Sequence, residues 1–124
     1  MKTDWRQYCQ ANDLQVENGE AHVTLRAGRV HHVSIIEKQD GYILRSLVAR
    51  AADVVSIPNA ALKAWMRNRF TELVSFRIDE KGRMVGEAWA PRESLSAAEF
   101  STLVRAVASE SDRFEYVLTG ADKV

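Results

Sequence analysis

Few folds accommodate the stretch from Leu73 to Gly120. Two alternating runs, Leu73–Asp79 and Arg83–Ala90, flank Asp79-Glu80-Lys81-Gly82, an acidic turn ending in glycine that closes a tight hairpin. Val74, Phe76 and Ile78 share one face of the first run, with Ser75 and Arg77 opposite. On the returning run Gly86, Ala88 and Ala90 make a face without bulk, shaped to receive a helix. Val85, Glu87 and Trp89 make the other face. Pro91 ends the run, because it has no N–H to give to a ladder. Ser96 and Glu99 then stand at capping-box spacing, with Leu95 and Phe100 placed as its hydrophobic staple. Phe100, Leu103, Val104, Val107, Ser111, Phe114 and Leu118 stay in helical phase. Phe114–Leu118 is therefore read as the end of one long helix and not as a strand. Gly120 is the residue that closes it.

The upstream half is read the same way. Thr3 is placed as an N-cap with Asp4 in the first turn, and Trp5, Tyr8 and Cys9 share a face, giving a short helix over 3–12. Asn18-Gly19 is a turn, and from Ala21 the period becomes two. His22–Leu25, Val30–Glu37 and Tyr42–Arg50 read as strands, joined by short turns at Arg26–Arg29 and Lys38–Gly41 and therefore antiparallel. Neither face of Tyr42–Arg50 is cleanly polar, which predicts a central strand covered on both sides or standing at an interface. Ala51–Ile57 shows no clear period. Pro58 suits a helix start, and Leu62, Trp65, Met66 and Phe70 mark an apolar stripe over 58–70. The order α-β-β-β-α-β-β-α predicts a single α+β domain over 1–124. Its antiparallel sheet would carry helices mainly on one face.

Composition narrows the function. Seventeen basic and seventeen acidic side chains cancel, which argues against nucleic acid as a partner. No apolar run is long enough for a membrane span, and the N-terminus resembles no signal segment, so a cytoplasmic protein is expected. The single cysteine, Cys9, excludes an internal disulfide and reads as a small buried apolar residue. His31 and His32 are adjacent on a strand and point to opposite faces, so they cannot readily share a metal. His22 could pair with one of them, with Glu37 or Asp40 assisting, but ordinary surface histidines are the expectation. Asp79, Glu80, Glu110 and Asp112 read as solvated carboxylates, and no phosphate-binding glycine loop occurs. No catalytic residue, metal or cofactor is expected, and the chain is not expected to be an enzyme. The competing class is a ligand-binding or enzymatic domain with a pocket between sheet and helices.

Three tryptophans, Trp5, Trp65 and Trp89, lie in three separate elements. Trp89 stands opposite the small-residue face, so Trp65, Met66 and Trp89 are placed in a homodimer interface, where tryptophan is a frequent anchor. The segment Leu73–Pro91, leading into Leu95-Ser96-Ala97-Ala98-Glu99-Phe100 and the closing helix, resembles the type III secretion chaperone-like fold. Within that fold it is most similar to the C-terminal half of the YbjN-type proteins, a bacterial group described as sensory transduction regulators. The N-terminal half agrees with them in element order. The resemblance implies a cytoplasmic, non-enzymatic homodimer that holds a polypeptide partner. The near-neutral charge departs from the usual acidity of secretion chaperones and favours the broader YbjN-like group. A strip on the first helix and first strand, around Trp5, Tyr8, Val23 and Leu25, is expected to be exposed and to bind that partner.

Overall fold

The computed structural model describes residues 4–93 and 95–120. Strands β1 (Leu14–Glu17), β2 (Glu20–Thr24), β3 (Val30–Glu37), β4 (Gly41–Ala49), β5 (Ser75–Ile78) and β6 (Met84–Pro91) form one sheet. Its order is β1-β2-β3-β4-β6-β5, antiparallel throughout. Helices α1 (Ala51–Val54), α2 (Ala60–Arg67) and α3 (Ala97–Thr119) complete an α+β domain.

The hairpin and closing helix follow from local chemistry. Ser96 Oγ accepts from the Glu99 N–H at 3.1 Å, and Glu99 Oε1 accepts from the Ser96 N–H at 2.9 Å. Residues 114–118 lie inside α3, and Gly120 ends it at φ 73°. The helix lies across β2, β3, β4 and β6 and turns Phe100, Val104, Val107, Ala108 and Phe114 inward. The phenylalanines and valines among them each contribute about 1.5–3 kcal/mol on burial. They meet Ala21, Val23, Val33, Leu44, Val48, Phe76, Met84 and Ala90 from the sheet. Gly86 is what lets the helix come this close. A Cβ there would land on Ser111 Oγ and within 2.8 Å of the Phe76 ring.

The structure departs from the sequence reading in four places. The first helix over 3–12 is a five-residue 3₁₀ turn, Trp5–Cys9, capped by Asp4, whose Oδ1 accepts from the Arg6 N–H at 3.1 Å. Thr3, expected as the cap, lies outside the described residues. The turn is short because the chain reverses at Ala11, where the carbonyl takes the Leu14 N–H, and enters a strand. That strand, β1, was not expected; it pairs with β2 across the Asn18-Gly19 turn. Third, the unplaced connector contains α1. Fourth, α2 is shorter than 58–70, because Asn59 takes a left-handed φ of 55° and keeps Pro58 outside the helix.

Candidate protein-binding surface

The proposed strip at the N-terminus is not an exposed surface. Trp5 and Val23 are each 1% exposed, and Tyr8 and Leu25 are partly buried. The 3₁₀ turn lies on the start of α3, where Trp5, Tyr8 and Tyr42 surround Phe100 at centroid distances of 6.3, 5.4 and 5.5 Å. This aromatic cluster is core. Cys9 is buried beside it, and burial pushes its thiol up to about 11.

The exposed apolar surface lies at the other end of the sheet. Helix α2 is amphipathic, but its apolar stripe faces solvent: Trp65 is 63% exposed, with Leu62 and Met66 beside it. The buried side chains of α2 are Ala60 and Ala64. The small alanines set α2 close against β5, and Asn68 fastens it there. Asn68 Nδ2 donates to the Phe76 carbonyl at 3.0 Å, and Asn68 Oδ1 accepts the Phe76 N–H at 2.7 Å. The side chain thus acts as a one-residue strand that closes the β5 edge. Phe70 and Leu73, in the connection after α2, are also exposed.

Trp89 lies on the sheet face turned away from α3 and is 56% exposed. It stands in register with Ile43 and, through β3, with Ile36, so three apolar side chains cross the face in a row. A Cβ at Gly41 would fall on the Ala90 carbonyl oxygen and lie 2.8 Å from the indole, so glycine admits both the neighbouring backbone and the ring. Beside this row Glu87 is clamped by Arg45 Nε at 2.5 Å and Arg77 Nε at 2.7 Å. Burial raises the Glu87 carboxyl, but the hydrogen bonds from Arg77 and Arg45 outweigh it and hold the group low. Concavities mark the face. One of about 490 Å³ is lined by Glu20, Val30, His32, Arg45, Leu47 and Val85 among others. Another, about 470 Å³, lies between the 71–75 segment and Ile43 and Trp89.

The histidines separate as the strand period requires. His31 is buried on the α3 side with Asp112 and Glu115. Arg29 grips Asp112 there, Nη2 donating to Oδ2 at 2.5 Å. His22 and His32 are on the outer face, directly opposite across β2 and β3, with rings stacked at 3.9 Å. The nearby carboxylates are Glu20 and Glu17. Glu37 instead reaches Arg92, and the Asp40 carbonyl accepts the Arg92 N–H. Glu20 was legible in principle, since it sits two residues from His22 on the same strand face. Glu17 needed the unexpected strand β1.

No protein-family model matches the sequence, and no curated protein matches it. Solved structures do match the fold. One, described as the heterodimeric complex ExoU-SpcU from the type III secretion system of Pseudomonas aeruginosa, matches at TM-score 0.63 and 14% identity. That match covers 94% of this chain and 97% of the other. The Yersinia pestis type III secretion chaperone SycH, in complex with a fragment of YscM2, matches at TM-score 0.53 and 10% identity over 93% of each chain. The HopA1-SchA chaperone-effector complex matches at TM-score 0.53 and 19% identity, over 95% of this chain and 89% of the other. Among the described residues no helix is long and apolar enough to cross a membrane. A six-stranded antiparallel sheet with a long closing helix on one face, shared with these proteins over nearly the whole chain, is the type III secretion chaperone-like fold.

Proposed function

We propose that this chain is a bacterial, cytoplasmic, non-enzymatic homodimer of the YbjN-like kind that binds a polypeptide, in a chaperone-like or regulatory role. One observation carries the reading: the outward apolar stripe of α2, continued at the same end of the sheet by Phe70, Leu73 and Trp89. A helix that turns Leu62, Trp65 and Met66 to water gains nothing from them as a monomer. Large apolar side chains exposed together at one side of a sheet mark interfaces. Tryptophan and methionine in the patch favour a dimer seam through Trp65, Met66 and Trp89, and a two-fold axis would let one copy's stripe meet the other's. The names of the fold neighbours, which describe secretion chaperones and a chaperone-effector complex, support a polypeptide as the further partner. Edge strand β1, beside the partly buried Tyr8 and Leu25, is where an extended segment would add. The concavity of about 490 Å³ is lined by strand residues of the outer face and does not lie between sheet and helices, where the enzymatic alternative places its pocket.

Sedimentation velocity tests the dimer. The wild-type chain is expected to sediment as a dimer at micromolar concentration, and Trp65→Arg and Trp89→Arg to shift it to monomer while leaving the circular dichroism spectrum unchanged. A wild type that stays monomeric, or variants that stay dimeric, would overturn the seam. Affinity capture from native cytoplasm, followed by reconstitution of any captured polypeptide with purified protein, tests the second part. Empty eluates count against a polypeptide partner.

A further inference from the structure

We propose that His22, His32 and Glu20 bind a zinc ion on the outer face of the sheet, with Glu17 orienting His22 from outside the coordination shell. The donors come from strands whose register fixes them. His22 and His32 are partners across β2 and β3, and Glu20 lies two residues before His22 on the same face. Their ligand atoms all lie within 4.8 Å of one another. Glu20 Oε1 is 3.1 Å from His22 Nε2 and 3.5 Å from His32 Nδ1. With Zn–N and Zn–O bonds of roughly 2.0–2.2 Å, donor atoms on a tetrahedron stand about 3.4 Å apart. Those two separations match that edge before any ion is added.

The second nitrogen of His22 is also provided for. Its Nδ1 faces Glu17 Oε2 at 3.6 Å, from the strand on the other side. A carboxylate behind a ligating imidazole fixes its tautomer and raises its basicity, the usual outer arrangement of metal sites. A divalent cation would also offset the negative charge that the two carboxylates bring to the cluster. Imidazole donors select zinc and its neighbours over magnesium and calcium. The rings are 10° from parallel, so coordination turns them about χ2, a soft torsion. His32 and Glu20 are exposed enough for an ion to enter from solvent, and a water completes the shell. The other cluster, His31 with Asp112 and Glu115, already holds the Arg29 guanidinium against Asp112 and is closed to solvent.

Isothermal titration of the tag-free chain with zinc chloride near neutral pH tests the site, with magnesium chloride as the control cation. One zinc per chain is expected. His22→Asn and His32→Asn should each abolish saturable binding, with thermal unfolding of the zinc-free variants unchanged because both side chains lie on the outer face. Glu17→Gln should weaken binding about 10-fold, as loss of an outer-shell partner does. Three results would overturn the proposal: no saturable zinc binding, binding that survives both histidine substitutions, or one zinc per two chains with zinc-dependent association.

Discussion

Replacing Gly86 by alanine tests whether α3 is seated on the small-residue face of β6. The added Cβ would fall on Ser111 Oγ and come within 2.8 Å of Phe76 Cε1 and 3.2 Å of Cδ1. Neither neighbour yields freely. Phe76 is 2% exposed and packs on Phe114 at 4.6 Å, and Ser111 is fully buried within α3. Overpacking of this kind costs about 2–3 kcal/mol, while alanine recovers about 0.5–1 kcal/mol of the backbone entropy that glycine loses. The net expectation is a loss of about 1–2.5 kcal/mol, read as a lower urea midpoint at unchanged m-value. Ser111 supplies the control. Its buried Oγ has no hydrogen-bond partner, so Ser111→Ala should be neutral or stabilising by about 1 kcal/mol. It also removes the nearer of the two clashes. The double variant should therefore be more stable than the sum of the singles by at least about 0.5 kcal/mol. A neutral Gly86→Ala, or strict additivity with Ser111→Ala, would refute the claim that glycine sets the distance between helix and sheet.

Two further outcomes follow from named contacts. Asn68→Ala removes both bonds to the Phe76 backbone and should cost about 1–3 kcal/mol, with faster amide exchange confined to β5 and α2. Uniform exchange across the sheet would refute the strand-closing role. Stability should also fall in acid. Hydrogen bonds from Arg105 hold Asp13 low. At Asp79, as at Glu87, burial raises the carboxyl, but bonds from the Arg83 backbone and side chain and the Lys81 N–H outweigh it. Folded pKa values below the unfolded values of about 4 give stabilisation that is complete above that range and lost as pH falls through the folded values. The urea midpoint should be flat down to about pH 5 and decline below about pH 4, less steeply in Asp79→Asn. A midpoint that rises on acidification would refute the assignment.

What the sequence disclosed depended on how local the cause was. The capping box and the unbroken phase from Phe100 to Leu118 are written within a few turns of chain, so α3 was legible from Ser96 to Gly120. The small face of β6 was legible because a two-residue period with Gly86, Ala88 and Ala90 leaves room for something from outside. Strand β1 was not, because four residues with Val16 as the single β-branched member are held by pairing with β2 rather than by propensity. The same applies to Trp5 and Val23, whose place in the core depends on where the 3₁₀ turn meets α3.

Helix α2 shows where periodicity stops being informative. Its stripe of Leu62, Trp65 and Met66 defines an apolar face, but amphipathicity alone does not say which face meets the chain's own core. The buried members are alanines, and the deciding contact is made by Asn68, a polar residue that reads from sequence as an ordinary helix end. Two short side chains and one amide hold α2 against β5, and its three largest apolar groups are left outside. Burying that apolar face would take a rotation of the helix by about half a turn. Such a rotation would break both Asn68 bonds and bring Trp65 to where Ala60 and Ala64 are now buried. The outward stripe is thus enforced by the closure of the β5 edge. It places Trp65 and Met66 at the same end of the sheet as Trp89, which the pleat of β6 turns outward for an independent reason. Two unrelated constraints exposing tryptophan at one end of the molecule make that end the surface to test first.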